Sequence, residues 1–430
     1  MTEQDIHVSP ADREILRPLA EDYAVAAADP VNRTRRKLWQ RLNDNDQERP
    51  MVWINEIPWH ELNDTGELEL LCSGSLARTW ESRLRRIIYQ WRHMAADMIV
   101  EPWFECTKLW SGGLLSLDVQ EKTIGHNSGE GIKSHQFEAQ IQDEKDVERL
   151  VRLEPAEYDA PGSELLLQTA SHVFEGILPV KLRGVRHIWF TTWDNLIRVW
   201  GVQAAMMDLV LKPDLVNLAV STYVAQAMNV LDSFERQGLL STGTSAVRVG
   251  SGGYGNMLGC GEVDSKECGC ISTKDLWGCS NAQIFSDVSP EMHYEFAIRH
   301  EIPWLQRWAF NYYGCCEALH LKHAQLEAIP NLRKISISPW ANVDTAIHHM
   351  GKRYVYSWKP NPAVFVDSAW NPDRVRQDIR QMIGKTMEAG ISLEIIMKDI
   401  STVLDRPERL HEWSRIAMQE VENADTNKGK

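Results

Sequence analysis

The chain has 430 residues, with 43% hydrophobic and 25% charged residues, as expected of a globular protein with one large or two to three small domains. A net charge of −14 and a pI near 5.5 argue against nucleic acid as a partner. Eight cysteines, a polar amino terminus and no apolar run long enough to span a bilayer predict a cytoplasmic protein with free thiols or metal ligands and no membrane partner.

The first part of the chain is predicted to be helical. Ser9 and Pro10 form a plausible N-cap and first-turn pair, and two helical patterns follow. We assign residues 1–48 to an N-terminal helical extension. A strand is predicted at 51–57, and a helix separates it from a second strand at 98–105.

The middle of the chain has a less regular pattern. Residues 107–150 are predicted to form an insertion with a hairpin and a loop. A strand and loop at 178–190 and a long helix at 212–238 precede another predicted strand and loop in STGTSAVRVGSGGYGNM. Ser289 then caps a helix that begins with Pro290.

The carboxyl-terminal part alternates strictly between strands and helices. The strands are WAFNYYGCCE, LRKISISPW, RYVYSWKPNP and SLEIIMKDIST, and a helix follows each one. This alternation is typical of βα units around a parallel sheet. With about four earlier strands, it predicts an α/β fold, a (β/α)8 TIM barrel over residues 49–424 with additional N-terminal helices and a tail at 425–430.

Polar side chains follow the predicted strands at their carboxyl ends, where barrel enzymes place their active sites. These residues are Asn55, Glu56, Trp59 and His60 after the first strand, Cys315, Cys316 and Glu317 after the fifth, Ser338 and Trp340 after the sixth, Lys359 and Asn361 after the seventh, and Lys398 and Asp399 after the eighth. Tyr313 and Gln283 are further candidates for substrate contact. We expect one cavity to collect this set.

The adjacent cysteines allow two interpretations. Cys315 and Cys316 are metal ligands or a reactive thiolate, or they are small buried residues at a strand end. Strand neighbours point to opposite faces, so only one faces the cavity unless the backbone bends. Glu317 is a ligand or general base, or else a structural carboxylate with a basic partner.

Two further motifs carry weaker information. Cys260, Cys268, Cys270 and Cys279 have the spacing C-x7-C-x-C-x8-C, which is unlike a zinc finger and leaves open a local metal site or unrelated loop thiols. The sequence VGSGGYGN matches G-x-G-x-x-G but does not lead into a helix, so we expect a flexible loop near the cavity and no NAD binding.

Four segments carry a family resemblance. SDVSPEMHYEFAIRHEIPWLQ, NYYGCCEALH, ISISPWANVDTA and YVYSWKPNPAVF together resemble the uroporphyrinogen decarboxylase superfamily, which includes cobalamin-dependent methyltransferases that act on coenzyme M. The resemblance covers roughly residues 49–422 and implies a barrel with its pocket at the strand carboxyl ends. Where the decarboxylases carry an arginine-rich segment, this chain has INEIPWHELND, so uroporphyrinogen is not expected as a substrate.

The resemblance also bears on zinc. The zinc methyltransferases of the superfamily carry His-x-Cys after the fifth strand and another cysteine after the eighth. Here Cys316 takes the cysteine position, Gly314 takes the histidine position, and MKDIST contains no cysteine. The resemblance therefore implies Cys316, with Cys315 beside it, as possible zinc ligands in an incomplete site.

These observations predict a cytoplasmic methyltransferase that moves a methyl group between a small substrate and a cobalamin carried by a separate corrinoid protein. The predicted catalytic residues are Glu317, Glu56, Asp399 and Lys359, and the predicted substrate contacts are Trp59, His60, Tyr313, Gln283, Trp340, Asn361 and Lys398. One alternative is a carboxy-lyase in which Lys359 or Lys398 binds a carboxylate and Asp399 manages a proton. A ligand-binding barrel without chemistry is the other.

Overall fold

The structure, a computed structural model, describes residues 5–114, 117, 119, 121–124, 134–242, 246–256 and 271–426. These residues contain fourteen α-helices and twelve strands. The helices are α1 (Pro10–Ala28), α2 (Val31–Asn43), α3 (Ser75–Met94), α4 (Glu144–Leu150), α5 (Ala160–Val173), α6 (Thr192–Trp200), α7 (Val202–Leu211), α8 (Pro213–Arg236), α9 (Pro290–His293), α10 (Arg299–Leu305), α11 (His323–Leu326), α12 (Val343–Met350), α13 (Pro372–Glu388) and α14 (Pro407–Thr426). The strands are β1 (Met51–Ile54), β2 (Phe104–Thr107), β3 (Leu109–Gly113), β4 (Glu121–Ile124), β5 (Ser134–Phe137), β6 (Glu154–Asp159), β7 (Val180–Arg183), β8 (Trp277–Ser280), β9 (Phe310–Tyr313), β10 (Leu332–Ile337), β11 (Val355–Trp358) and β12 (Leu393–Met397).

Six strands form the central sheet, in the order β1-β12-β11-β10-β9-β8, and all neighbours are parallel. Ile54 lies opposite Met397, and Ile337 lies opposite Trp358. The carboxyl ends of the strands therefore meet at one edge. The predicted parallel α/β architecture is confirmed.

The remaining described strands form three pairs: β2 with β7 in parallel, and β3 with β6 and β4 with β5 in antiparallel. Among the described residues, hydrogen bonds do not join all strands into the continuous eight-stranded barrel that was predicted. Two local contacts connect the pieces. The Asp97 backbone N–H donates to the Val52 carbonyl at 3.0 Å, and His187 forms a parallel bridge with Trp277.

One strand of the central sheet was not predicted. β8 lies where the sequence indicated a loop with clustered cysteines, and Cys279 is a buried residue of that strand. The other three members of the predicted cluster, Cys260, Cys268 and Cys270, lie outside the described residues. The strand predicted in STGTSAVRVGSGGYGNM is reduced, where described, to one bridge between Arg248 and Tyr254.

The glycine-rich stretch at 247–256, named here the glycine segment, packs on one face of the sheet. A Cβ added to Gly252 would lie 2.4 Å from Glu394 Oε1, and one added to Gly253 would lie 2.3 Å from Trp39. The Gly253 N–H donates to Glu394 Oε1 at 3.1 Å, and Lys334 pairs with the same buried carboxylate at 2.8 Å. The expectation of a flexible loop is therefore corrected: from residue 249 onward the segment is buried, and only glycine fits this close approach.

The N-terminal helices pack onto the same body. Ser9 caps α1 as predicted, and its side chain accepts a hydrogen bond from the Asp12 backbone at 3.1 Å. Leu16 of α1, Trp39 of α2 and Trp80 of α3 belong to one buried hydrophobic cluster. Across the described helices, none combines the length and the apolar character that crossing a bilayer requires.

Candidate active site

A pocket of about 430 Å³ lies beside the carboxyl edge of the sheet. It is lined by Glu56, His187, Trp189, Arg248, Gly250, Gln283, Cys315, Lys398 and Asp399. Five of these were predicted site residues: Glu56, Gln283, Cys315, Lys398 and Asp399. The fold brings these five together, although they are spread over more than 340 positions of the chain, while the rest of the set expected in one cavity does not line it.

The turn after β9 carries both cysteines. Gly314 has a φ of +95°, and a Cβ there would lie 2.5 Å from Leu319, so glycine is needed to bend the chain. The bend allows the two sulfur atoms to approach each other at 3.7 Å. Cys315 is buried against the pocket, and the half-buried Cys316 places its sulfur 3.7 Å from Asp399 Oδ2.

Lys398 Nζ lies 3.3 Å from Cys315 Sγ and favours a thiolate there. A hydrogen bond from Cys316 and the charge of Lys398 lower the pKa of Cys315, although burial opposes them. The same hydrogen bond to Cys315, together with burial, raises the pKa of Cys316. The contacts therefore shift Cys315 toward the thiolate form and Cys316 away from it, which makes Cys315 the better candidate for a nucleophile. The family resemblance had instead singled out Cys316, as the residue at the position of the motif cysteine.

Two carboxyl groups flank Lys398. Its Nζ lies 3.4 Å from Glu56 Oε2 and 3.1 Å from Asp399 Oδ2, and Arg248 Nη2 lies 3.0 Å from Glu56 Oε1. Both acidic residues have left-handed backbones, with φ of +52° at Glu56 and +56° at Asp399. Such conformations cost about 1–3 kcal/mol each and concentrate at functional sites. The strain aims two carboxyl groups from adjacent strand ends at one ammonium.

The two carboxyl groups shift each other's pKa in opposite directions. Burial raises the pKa of Glu56, but its hydrogen bond with Asp399 and the charges of Lys398 and Arg248 outweigh this and set it to about 2. Burial and the hydrogen bond with Glu56 raise the pKa of Asp399. The pKa of Asp399 therefore lies above its ordinary value, and the pKa of Glu56 lies below its own. Burial alone would lower the pKa of Lys398, but the surrounding anions raise it, so the ammonium stays protonated.

A third carboxyl group, Asp194, was not predicted. Gln283 Nε2 donates to Asp194 Oδ2 at 2.7 Å. Burial raises the pKa of Asp194 to about 6, which suits proton transfer near neutral pH. The rule that located the other strand-end residues would have found it, because Asp194 follows the strand predicted at 178–190.

His187 has both ring nitrogens occupied. Its Nε2 accepts from the Gly250 N–H at 2.9 Å, and its Nδ1 lies 3.1 Å from the Trp277 carbonyl, to which it donates. Burial lowers the pKa of His187 to about 4, so the ring is neutral. His187 therefore fixes the glycine segment against β8 and is not free to act as a base.

Glu317 and Lys359, two predicted catalytic residues, are absent from the lining of this pocket, and Lys359 lines a different cavity of about 280 Å³. Glu317 is fully buried and accepts from the backbone N–H groups of Cys315 at 2.8 Å and Ala282 at 3.1 Å. Lys359 is buried and donates to the Tyr312 hydroxyl and to the Ser357 carbonyl and hydroxyl. Burial lowers the pKa of Lys359 to about 7. These contacts occupy both side chains with protein partners, and their catalytic roles stay predictions.

The other predicted substrate contacts do not line this pocket. Trp59 packs against Tyr89 with ring centroids 6.2 Å apart, and His60 lies next to it. Trp340 is 68% exposed, so it faces solvent.

Asn361 and Tyr313 also lie elsewhere. Asn361 accepts from the Ala363 N–H at 2.9 Å and caps a short helical turn. Tyr313 is buried in the core, and its hydroxyl lies 2.7 Å from His293 Nε2. Strand alternation explains Tyr313, because its neighbour Tyr312 faces the glycine segment.

The thiol pair does not fit a zinc site. Within the part of the chain that the structure describes, no three His, Cys, Asp or Glu side chains are arranged to hold a metal ion. The Lys398 ammonium takes the place beside Cys315 Sγ that a bound cation would need. The missing histidine at Gly314 agrees with this. No step is assigned to a metal here.

Comparisons with known proteins add little to the site. A scan against protein-family models found no match, and a search of curated proteins found no relative. Solved structures that resemble the chain include a methyltransferase from Methanosarcina mazei, 8% identical, with 92% of this chain and 98% of that chain covered and a TM-score of 0.48. A likeness at that level does not establish the activity of this chain.

Proposed function

We propose that this protein is a methyltransferase in which the Cys315 thiolate accepts a methyl group from a small substrate in the pocket. The observation that carries the proposal is the 3.3 Å contact between Lys398 Nζ and Cys315 Sγ at the pocket wall. A thiolate, and not a thiol, is the nucleophile in such reactions. Lys398 and Cys316 together hold Cys315 in that form.

The neighbouring acids supply the proton that the reaction needs. As the bond from Cys315 sulfur to the methyl carbon forms, the bond from that carbon to its former heteroatom breaks. The leaving group departs with the electron pair. Asp399 lines the pocket and has a raised pKa, so we assign it as the group that donates a proton to a leaving group that requires one. Glu56 keeps its charge and holds Lys398 in place.

The pocket gives no comparable support to the carboxy-lyase alternative. Lys398 and Arg248, the cations of the described lining, are both paired with carboxylates already in the site. Lys359 gives its contacts to Tyr312 and Ser357 and does not line this pocket. A substrate carboxylate would have to displace one of these partners. The strained carboxyl groups and the thiolate also argue against a barrel that only binds a ligand.

The closed (β/α)8 barrel and membership of the uroporphyrinogen decarboxylase superfamily are part of the proposal. The contacts between Asp97 and Val52, the pairing of β2 with β7, and the bridge from His187 to Trp277 support closure between β1 and β8. They follow the order that a barrel requires. The chain would need only short additional pairings to complete the ring.

A corrinoid carrier protein is the proposed partner, and a cytoplasmic location is proposed with it. Cobalamin on that carrier would supply the cobalt centre that exchanges the methyl group. The free thiols of Cys72, Cys106 and Cys279 are in keeping with a reducing compartment.

Deuterium-labelled methyl donors test the proposal. Purified protein is incubated with CD3-labelled methanol, methylamines and methyl thioethers. Mass spectrometry then measures the tryptic peptide 308–322, which contains Cys315 and Cys316. We expect a labelled methyl group on Cys315 with at least one donor, and faster transfer to free cob(I)alamin than without protein. Cys315→Ser should abolish both, and Cys316→Ser should slow them. Full methyl transfer by Cys315→Ser would overturn the proposal.

A further inference from the structure

The two adjacent thiols have a chemistry that methyl transfer does not use. Their sulfur atoms lie 3.7 Å apart at the pocket wall, Cys315 Sγ lies 3.3 Å from Lys398 Nζ, and Cys316 is half-buried. We propose that Cys315 and Cys316 form a peroxide-sensitive modification site, in which Cys315 reacts with hydrogen peroxide and Cys316 resolves the product as a reversible disulfide between neighbours.

Both steps balance with peroxide as the oxidant. The Cys315 thiolate attacks one peroxide oxygen, the O–O bond breaks, and hydroxide leaves, so that sulfur is oxidised to a sulfenic acid and peroxide is reduced. The Cys316 sulfur then attacks Cys315 sulfur, an S–S bond forms, and the sulfenic hydroxyl leaves as water with the Cys316 proton. The pair has lost two electrons and the peroxide has gained them.

The local geometry permits this closure and makes it reversible. The sulfur atoms must approach from 3.7 Å to about 2 Å, a movement that side-chain rotation and the glycine at 314 can provide. Neighbouring Cα atoms are only about 3.8 Å apart, which is shorter than the usual separation of about 4.4–6.8 Å across a disulfide. The resulting ring is strained, and strained disulfides are reduced easily.

The described cysteines elsewhere serve as internal controls. Unlike Cys315, the side chains of Cys72, Cys106 and Cys279 do not line the pocket, and burial is the main cause that raises the pKa of each to about 12. None of them is held as a thiolate. Peroxide should therefore reach and oxidise Cys315 well before these three.

Oxidation would disable the pocket. The disulfide consumes the thiolate that Lys398 contacts at 3.3 Å, and it removes the S–H group that supports it. Reduction restores both groups without new synthesis. The site is therefore a reversible control point on whatever reaction Cys315 performs.

Peptide mass measurement on the wild-type chain tests the proposal directly. Reduced protein is treated with a few equivalents of hydrogen peroxide, alkylated and digested. Of the eight cysteines, peptide 308–322 contains only this pair. We expect its unalkylated form, 2 mass units lighter than the dithiol, to appear first and to disappear after dithiothreitol. Free Cys316 beside an overoxidised Cys315, or faster oxidation of Cys72, Cys106 or Cys279, would overturn the proposal.

Variants separate the two roles. Cys316→Ser should leave a sulfenic acid on Cys315 that dimedone traps, whereas Cys315→Ser should slow peroxide reaction of the peptide by roughly tenfold or more. Equal rates for both variants would contradict the assignment.

Phenylarsine oxide gives a readout independent of oxidation, because its arsenic bonds to two adjacent thiols with loss of water. We expect peroxide to abolish the binding of phenylarsine oxide and dithiothreitol to restore it. Binding that peroxide does not affect would contradict the formation of a disulfide. These results do not depend on methyl transfer, so either proposal can fail alone.

Discussion

Replacing Glu317 with glutamine distinguishes a structural carboxylate from a catalytic one. Glu317 is fully buried, and its two oxygens accept the backbone N–H groups of Cys315 and Ala282. Glutamine keeps one acceptor and presents an NH2 group to the other donor. One charge-assisted hydrogen bond is lost and a buried N–H is left without a partner. Each of these two losses costs about 1–3 kcal/mol, so we expect Glu317→Gln to lower the free energy of unfolding by about 2–6 kcal/mol.

That loss corresponds to a small shift in melting temperature. At about 2.1 cal/mol/K per residue, the unfolding entropy of 430 residues is about 0.9 kcal/mol/K. A loss of about 2–6 kcal/mol therefore lowers the melting temperature by about 2–7 °C, which differential scanning calorimetry resolves. Glu14→Gln makes the same chemical change at an exposed position of α1 and should alter the unfolding free energy by less than about 0.5 kcal/mol.

A second readout tests the chemistry of the same variant. The charge of Glu317 opposes the Cys315 thiolate, so its removal should move the midpoint of iodoacetamide reaction at Cys315 to lower pH. A general base would give another result: an unchanged melting temperature with turnover reduced by about 10²–10⁴. That combination would refute the structural role that the contacts of Glu317 indicate.

Three further predictions concern Lys398, Glu301 and Gly252. Lys398→Met removes the ammonium beside Cys315, so iodoacetamide alkylation at pH 7 should slow by roughly tenfold or more and its pH midpoint should rise; an unchanged midpoint would contradict the contact. Burial raises the pKa of Glu301 to about 7, so between about pH 4 and pH 7 the unfolded state releases a proton that the folded state keeps, and stability falls as pH rises. Glu301→Gln should therefore flatten the dependence of melting temperature on pH in this range and raise the melting temperature at pH 8. An unchanged dependence on pH would argue against a buried acid. Gly252→Ala should lower the free energy of unfolding by about 1–3 kcal/mol because the added Cβ meets Glu394 and Tyr312. Gly384→Ala, where α13 leaves open space around the glycine, should raise the free energy of unfolding by up to about 1 kcal/mol. Equal effects of the two substitutions would show that the glycine segment is not tightly packed.

The carboxyl-terminal half was predictable because its pattern is local. Each of β9 to β12 is a short apolar run with a helix behind it, and the carboxyl ends of such strands share one edge. That rule was enough to select Cys315, Lys398 and Asp399 for the same pocket. It could not show which side of the wall a side chain occupies, and Glu317 turned inward to the backbone.

The remainder depended on contacts between distant and irregular segments. Arg248 reaches Glu56 from the glycine segment, 192 residues further along the chain. His187 enters the site because its ring bridges Gly250 and Trp277. Neither segment has a period that indicates burial, since a buried run of glycines looks like an exposed loop in the sequence. β8 was missed for a similar reason: four residues that include a glycine and a cysteine give little strand pattern.

The pairing of β1 with β12 has a consequence during biosynthesis. Lys398 is added to the growing chain 83 residues after Cys315, and it is placed against that sulfur only when β12 docks beside β1. A ribosome-bound chain that already displays both cysteines therefore lacks the ammonium that makes Cys315 reactive. The surroundings of Cys315 are therefore complete only once β12 has joined the sheet.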